Sequence, residues 1–284
     1  MPAAVVLDHV AVAVEAWADA WPRYVGQLGG EWASGGQGIG FAPSQLRFAN
    51  EARVEILQPW AVDQNPFLRR FLDSNGTGPH HLTFKVPDLA SALRAAGAAG
   101  FDPVAVDLSD PGWLEAFLHP RQATGVVVQL AQAAGSWQSP APEGFPTGRP
   151  PEPATLHHVT HAVAELEEGL ALFRDLLGGR QSSGADSSDG TWSSVTLRWS
   201  GPLALRLVAP TPGAPADTPL RQWLAGRRGR VHHIAFGQPG TGGDPGVGVP
   251  GVAEDELPVE VVEPEHNLGT RLVIRRSQGL RGSR

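Results

Sequence analysis

The sequence predicts an α+β protein of two tandem domains, each made of paired βαβββ modules, with the second domain degenerate. Three observations carry this prediction. First, four alternating, strand-like runs carry histidine at or near their start: Leu7-Asp8-His9-Val10-Ala11-Val12-Ala13-Val14, Gly78-Pro79-His80-His81-Leu82-Thr83-Phe84-Lys85-Val86, Leu156-His157-His158-Val159-Thr160-His161-Ala162-Val163 and Val231-His232-His233-Ile234-Ala235-Phe236. Second, near-constant offsets relate the two halves. His9 to His158 and Gly29 to Gly178 are each 149 positions, Glu55 to Arg206 is 151 and His81 to His233 is 152. Self-similarity at a fixed offset is the mark of internal duplication. Third, residues 135–154 hold Pro140, Pro142, Pro146, Pro150, Pro151 and Pro153 among Gly, Ser and Ala, the composition of a linker. The expected division is 1–134, a linker at 135–154, a second domain at 155–276 and a basic tail at 277–284.

The elements follow in order. Residues 5–14 alternate and are valine-rich, which predicts a strand. Residues 16–28 place Trp17, Trp21, Tyr24, Val25 and Leu28 at helical spacing, and Gly29-Gly30 stops the helix. Three strands are expected around 31–34, 45–49 and 53–58, the last closed by Pro59. In that strand Val54, Ile56 and Gln58 face one way, and Arg53, Glu55 and Leu57 the other. A short helix is expected at 65–75 and the second histidine strand at 80–86. Asp88 caps a helix over 89–99 that Gly100 ends. Strands near 103–107, 115–119 and 125–131 complete the second module. After the linker come the third histidine strand, a helix at 165–177 ending in Gly178-Gly179, and a strand at 203–208. The fourth module departs: from Gly237 to Gly246 glycine and proline replace the helix with a loop, although 271–275 still reads as a strand.

Composition narrows the function. The 284 residues carry a formal charge of −7, the opposite of a nucleic-acid-binding footprint. No apolar run approaches the length of a membrane span, and no secretory signal is seen at the N-terminus, so a cytoplasmic location is expected. Cysteine is absent, so a metal must rest on histidine, carboxylate or amide groups. Lys85 is the only lysine.

The constellation that carries chemistry is in the first half. His9 opens the first module and Glu55 sits in its last strand; His81 opens the second and Gln129 sits in its last strand. Paired into one cup, these strands bring two imidazoles, one carboxylate and one amide together. That set suits a divalent ion of intermediate hardness with positions left open. Because strand side chains alternate, only one histidine of each doublet can face the cup; register favours His81 and turns His80 away. In the second half His158 and His233 keep register, but Arg206 replaces Glu55 and the last strand offers Arg271 and Arg275. A guanidinium cannot ligate a cation, so the second domain is expected to be a duplicate without a metal site that completes the paired-domain architecture; the alternative is an arginine-lined cup for an anionic ligand.

The first half resembles the vicinal oxygen chelate superfamily, which includes glyoxalases, extradiol dioxygenases and bleomycin-resistance proteins, and within it the methylmalonyl-CoA epimerase branch. The resemblance rests on the strand around His9, on Val54-Glu55-Ile56-Leu57-Gln58-Pro59, on Phe71-Leu72 to Gly76 running into Gly78-Pro79-His80-His81-Leu82, and on Phe117-Leu118-His119-Pro120 with Gly125-Val126-Val127-Val128-Gln129-Leu130. It implies a glyoxalase-like fold with metal ligands at His9, Glu55, His81 and Gln129 and a divalent cofactor (Co, Mn, Ni, Zn or Fe). Gln129 stands where the family has a glutamate, and no carboxylate lies between Ala33 and Asn50 to match the epimerase's second base. Glu55 is the candidate catalytic group, as ligand and, when displaced, as base. Trp113, His119 and Arg47 are the candidate substrate-binding residues.

The expected activity is that of a metal-dependent isomerase or lyase stabilising an enolate of a small oxygenated substrate. The alternatives are a non-catalytic binder of antibiotic-like molecules and an extradiol-type dioxygenase. The expected partner is a small molecule, with no nucleic acid or membrane, in a monomer that is an internal pseudo-dimer or in a homodimer.

Overall fold

The computed structural model describes residues 4–276 apart from 134, 136, 137, 147, 149, 150, 188 and 241–258. The expected tail at 277–284 and most of the glycine-proline loop of the fourth module lie outside the described residues. Among the described residues, no helix is long and apolar enough to cross a membrane.

The first half runs β1 (Val6–Ala13), α1 (Trp17–Trp21, continued by a π-helical turn over Pro22–Gln27), β2 (Glu31–Gly35), β3 (Gly40–Arg47), β4 (Arg53–Trp60), α2 (Phe67–Asn75), β5 (Gly78–Lys85), α3 (Leu89–Ala98), β6 (Val104–Asp110), β7 (Trp113–Leu118) and β8 (Val127–Ala133). Its strands form one sheet in the order β2-β3-β4-β1-β5-β8-β7-β6. Each βαβββ module contributes four strands. Within a module the first strand lies parallel to the last, and the two modules join where β1 meets β5 antiparallel. Asp88 caps α3 as expected, accepting from the Ser91 amide at 2.6 Å.

The second half repeats the plan with β9 (Thr155–Val163), α4 (Leu166–Leu170, continued by a π-helical turn over Ala171–Leu176), β10 (Arg180–Asp186), β11 (Trp192–Arg198), β12 (Ala204–Pro210), α5 (Pro219–Leu224), β13 (Gly229–Gly237), β14 (Val259–Val262) and β15 (Leu272–Arg275). Its seven strands run β10-β11-β12-β9-β13-β15-β14. The π-helical turn follows Pro22 in the first half and recurs at Ala171, where there is no proline.

Strand alternation separates two faces. Val10, Val12 and Val14 enter a core that also holds Leu82 and Phe84 and, from the second half, Phe173, Leu205 and Phe236. The alternate positions Ala11 and Ala13 pack with Leu57, Leu68 and Leu72 in a separate cluster on the side that His9 faces. The large core crosses between the halves: Phe84 stacks near Phe173 and edge-on to Trp199, and Phe48 meets Phe236 at 5.0 Å between centroids. Burial of such a surface is the main favourable term in folding.

The seam between the halves is reciprocal. A Cβ on Gly229 would overlap the Thr124 carbonyl, and one on Gly269 would overlap the Thr77 carbonyl, so glycine is required at both crossings. Asn50 Nδ2 donates to the Leu156 carbonyl at 2.8 Å, and His161 Nε2 donates to the Thr124 carbonyl at 2.9 Å. The proline-rich segment is fastened to β2 instead of hanging free. The Trp32 indole donates to the Ser139 carbonyl, Ser139 Oγ accepts from the Gly35 amide, and Phe145 packs edge-on against Trp21 and Trp32.

His161 is fully buried at this seam, and burial pushes its pKa down to about 4 even though the Thr124 carbonyl favours the proton. The unfolded imidazole takes up a proton near its ordinary value of 6.5, while the folded one stays neutral to about 4. Stability therefore falls as pH drops through that window, by roughly 1 kcal/mol per pH unit for this one proton. His161→Gln keeps a donor for the Thr124 carbonyl but cannot titrate. Chemical denaturation between pH 7 and 5 is expected to show a shallower loss of stability in the variant. Parallel losses in the two proteins would remove His161 as a cause.

Candidate metal centre

The site sits where β1, β4 and β5 run side by side. Ala11 pairs with Glu55 across the parallel β1–β4 ladder and with His81 across the antiparallel β1–β5 ladder, so the three strands bring His9, Glu55 and His81 to one face. One ligating atom from each lies within 4.8 Å of the others, and all three residues are buried. Glu55 Oε2 is 3.5 Å from both His9 Nε2 and His81 Nε2.

Two β-bulges orient the imidazoles. The β1–β5 register slips at Asp8, between the pairs Leu7–Phe84 and His9–Thr83, and again at His80, between Ala11–His81 and Val12–Pro79. An extra residue in one strand breaks strict alternation, so neighbours can share a face. Leu7 and Val10 consequently both enter the core, and Asp8 lies beside the His9 ring, with Oδ2 accepting from Nδ1 at 2.8 Å. Lys85 Nζ holds the other Asp8 oxygen at 2.9 Å. The expectation that alternation turns His80 away is corrected by the second bulge. His80 Nδ1 lies 2.8 Å from His81 Nδ1, and its ring packs edge-on against Phe71 and Phe67.

Hydrogen bonding tells the two histidines apart. The single Thr83 Oγ1 proton goes to Gln129 Oε1 at 2.5 Å, so at 2.8 Å Thr83 Oγ1 accepts from His9 Nε2. With Asp8 on the other side, both His9 nitrogens donate. Burial works against that charge, but the carboxylates of Glu55 and Asp8 raise the His9 pKa to about 9. Burial likewise opposes the Glu55 charge, yet His9 lowers its pKa to about 2. His81 moves the other way: burial and then His80 push it well below 6.5, so it is neutral. Its Nε2 is buried without a hydrogen-bond partner. Such an orphan is uncommon in a folded protein.

Gln129 reaches this group through Thr83, and its Nε2 donates to Glu115 Oε2 at 2.7 Å. Trp113 Nε1 donates to the same oxygen at 2.7 Å. Trp113 therefore borders the site. Arg47 does not reach it: it lies at the exposed end of β3 and pairs with Glu31 at 3.0 Å and Glu51 at 3.5 Å. His119 is exposed in the turn after β7, where its Nδ1 accepts from the Arg121 amide. Asp8, Thr83 and Glu115 were not singled out as site residues from the sequence, whereas Gln45, with Arg47, is the nearest polar candidate there for the missing second base. Gln45 lies opposite Glu55 in register and donates to its Oε1 at 3.2 Å.

The second half keeps the backbone and changes the chemistry. The His158 and His233 rings are 5.9 Å apart at 66°, against 5.7 Å at 65° for His9 and His81. Arg206 takes the place of Glu55 and donates to Ser194 Oγ. Proton bookkeeping then sets His233. Arg271 Nη1 can only donate, so His232 Nε2 accepts at 2.9 Å and the His232 proton sits on Nδ1. That proton goes to His233 Nδ1 at 2.8 Å, which leaves the His233 proton on Nε2, facing Thr160 Oγ1 at 3.1 Å. His233 Nε2 is thus a donor, whereas its counterpart His81 Nε2 has no partner. Among the described residues, the His9, Glu55 and His81 group is the only cluster of potential metal ligands.

Comparison with known proteins finds likenesses to the first domain and to the fold of the whole chain. Residues 8–117 match the model of the Glyoxalase/Bleomycin resistance protein/Dioxygenase superfamily. A mutant of 4-hydroxymandelate synthase from Streptomyces coelicolor superposes over 98% of this chain and 94% of its own, with a TM-score of 0.65 and 16% identity, which is a likeness of fold. A hypothetical protein from Bacillus halodurans aligns with 48% of this chain and 100% of its own (24% identity, TM-score 0.43). Methylmalonyl-CoA epimerase from Mycobacterium tuberculosis aligns with 46% of this chain and 89% of its own (25% identity, TM-score 0.41). No curated protein matches the chain in sequence. Residues 8–117 of the first domain thus carry the pattern of the Glyoxalase/Bleomycin resistance protein/Dioxygenase superfamily, and the two-domain fold of the whole chain is like that of the 4-hydroxymandelate synthase structure.

Proposed function

We propose that the first domain is a divalent-metal-dependent isomerase or lyase acting on a small oxygenated substrate whose reaction passes through an enolate. The observation that carries this reading is the buried group of His9, Glu55 and His81, with one His81 nitrogen left unpaired. Two imidazoles and a carboxylate fit a first-row divalent ion (Co, Mn, Ni, Zn or Fe), and the absence of cysteine sets aside a thiophilic site. His9, Glu55 and His81 would hold the ion, with Gln129 as the fourth donor, linked to His9 by two hydrogen bonds through Thr83. A bound divalent ion supplies Lewis-acid stabilisation of an oxyanion.

The chain's own residues do the rest. Asp8, held by Lys85, fixes the His9 ring so that Nε2 points at Glu55, and His80 does the same for His81. Glu55 would help hold the ion, and its carboxylate is the candidate base. Glu115 is the second carboxylate. Its Oε2 is fixed by Trp113 and Gln129, and its Oε1 takes up the substrate proton. The apolar wall of Ala11, Ala13, Leu57, Leu68 and Phe71 keeps water from the substrate's carbon skeleton.

A second reading has its own support. His9 and Glu55 neutralise each other without an ion, with pKa values of about 9 and about 2, which suits a metal-free binding protein. Elemental analysis after exposure to mixed divalent ions separates the two readings. The enzyme reading expects one ion per chain, lost in the His9→Ala/His81→Ala double variant; an ion-free wild-type protein would reject it. Asp8→Asn leaves all three ligands in place and is expected to weaken metal affinity by roughly 10- to 100-fold in a competition titration with a chromophoric chelator. Unchanged affinity would remove Asp8 from the site. Glu115→Gln is expected to keep the ion but slow exchange of substrate protons with deuterated solvent by roughly 100-fold or more, the usual scale of general acid–base catalysis. Acyl-CoA esters and 2-oxoaldehydes are the compounds to screen. A variant that exchanges protons at the wild-type rate would exclude Glu115 as the proton carrier.

A further inference from the structure

The second half holds a cleft of about 440 Å³ lined by Pro219, Gln222, Trp223, Arg230, His232, Val261, Glu263 and Arg271. Small-molecule sites commonly fall in this range of volume. Trp223 forms its aromatic wall, and two guanidinium groups lie over that ring, Arg230 at 4.4 Å and Arg271 at 4.2 Å from its centroid. Arg271 is neutralised by Glu263 at 2.7 Å and held by His232. Arg230 is not neutralised. It is half-buried and has no carboxylate partner among the described residues. Burial disfavours its charge, and Arg227 and Arg271 add like-charge repulsion. His232 adds no positive charge, because burial and the two arginines keep it neutral. The cleft therefore carries one unbalanced positive charge beside a flat aromatic face. A protein seldom desolvates a cation without an anion to meet it.

The counterpart region of the first half explains why the cleft belongs to this domain alone. There Phe71 and Phe67 pack on His80, where Trp223 and Arg271 meet His232. Gly78, the strand position matching Arg230, has no side chain. The first domain closes the space with hydrocarbon, and the second opens it and lines it with arginine.

We propose that this cleft binds a small organic anion, with its carboxylate or phosphate head on Arg230 and an apolar body against the edge of Trp223. Arginine matches a carboxylate or phosphate head through paired N–H donors, and the Trp223 ring beneath the two guanidinium groups holds them in place. The site is separate from the His9, Glu55 and His81 group and does not depend on a metal.

Isothermal titration in the presence of a chelator tests the proposal. The probes are benzoate, phenyl phosphate and inorganic phosphate, with benzamide as the uncharged control. Benzoate or phenyl phosphate is expected to bind one per chain at millimolar concentration or better, with benzamide much weaker. Arg230→Gln is expected to lower the affinity by about tenfold or more, because an anion would then lose its only unpaired cation. Trp223→Leu is expected to weaken the aromatic probes but not inorganic phosphate. His9→Ala/His81→Ala should leave all of these affinities unchanged. Arg230→Lys retains the charge and serves as the folded reference if Arg230→Gln is unstable; it is expected to keep part of the binding. The proposal fails if no anion binds, if benzamide binds as well as benzoate, or if neither Arg230 variant alters affinity. A preference for phenyl phosphate over benzoate identifies a phosphate ester as the ligand head, and the reverse identifies a carboxylate.

Discussion

Pairing of β1 with β5 is the constraint on which the site depends. Each module alone carries one histidine strand and could present one imidazole. Antiparallel pairing puts the two strands side by side in one sheet, with Ala11 opposite His81 and His9 opposite Thr83. A slip of one residue would turn every side chain of one strand to the other face. The valines and leucines of both strands resist such a slip, because Val10, Val12, Leu82 and Phe84 would then leave the core that joins the two halves. Hydrophobic burial on one face therefore fixes the placement of the polar groups on the other.

The bulges at Asp8 and His80 refine that placement. They occur at equivalent places in the second half, at His157 and His232, so the backbone device was duplicated with the domain. What differs is the side chain at the first bulge, Asp8 against His157, and the partner of the histidine at the second. In the first half Asp8 accepts from His9 and is itself held by Lys85, the only lysine in the chain. In the second half a neutral histidine chain starts at Arg271 and leaves His233 Nε2 as a donor. One scaffold thus sets a carboxylate, Glu55, beside the histidine pair in one copy and arginines, Arg206 and Arg271, near it in the other, so the sign of the surrounding charge is reversed.

The seam between the halves shows how a duplicated chain keeps its two copies in register. Gly229 meets the Thr124 carbonyl, and Gly269 meets the Thr77 carbonyl, at reciprocal positions of the two sheets. Main chain touches main chain there, and no larger residue fits without moving a sheet. The proline-rich segment adds to this by fastening to β2 through Ser139 and Phe145.

Strand periodicity, glycine stops and the repeat offset were enough to read the two-domain plan, the modules and the facing of His9, Glu55 and His81 directly from the chain. These are local signals: alternation and the offset between copies need no knowledge of which strand lies next to which. Asp8, Thr83 and Glu115 were not legible in that way. Asp8 and His80 reach their partners only because bulges break the alternation, and a bulge is set by the partner strand. Thr83 and Glu115 act across strands, on His9 and Gln129, from register that only the assembled sheet defines. Arg47 was placed near the site by its position along the chain, but the end of β3 carries it out to Glu31 and Glu51. The Arg230–Trp223 cleft draws on α5, β13, β14 and the start of β15, elements far apart in sequence. Sequence by itself determined which residues could supply donors and, away from the bulges, on which face of a strand they stand. Tertiary structure decided which neighbour each donor meets, because hydrogen bonds and charge pairs act over a few ångströms between strands that the chain brings together only on folding.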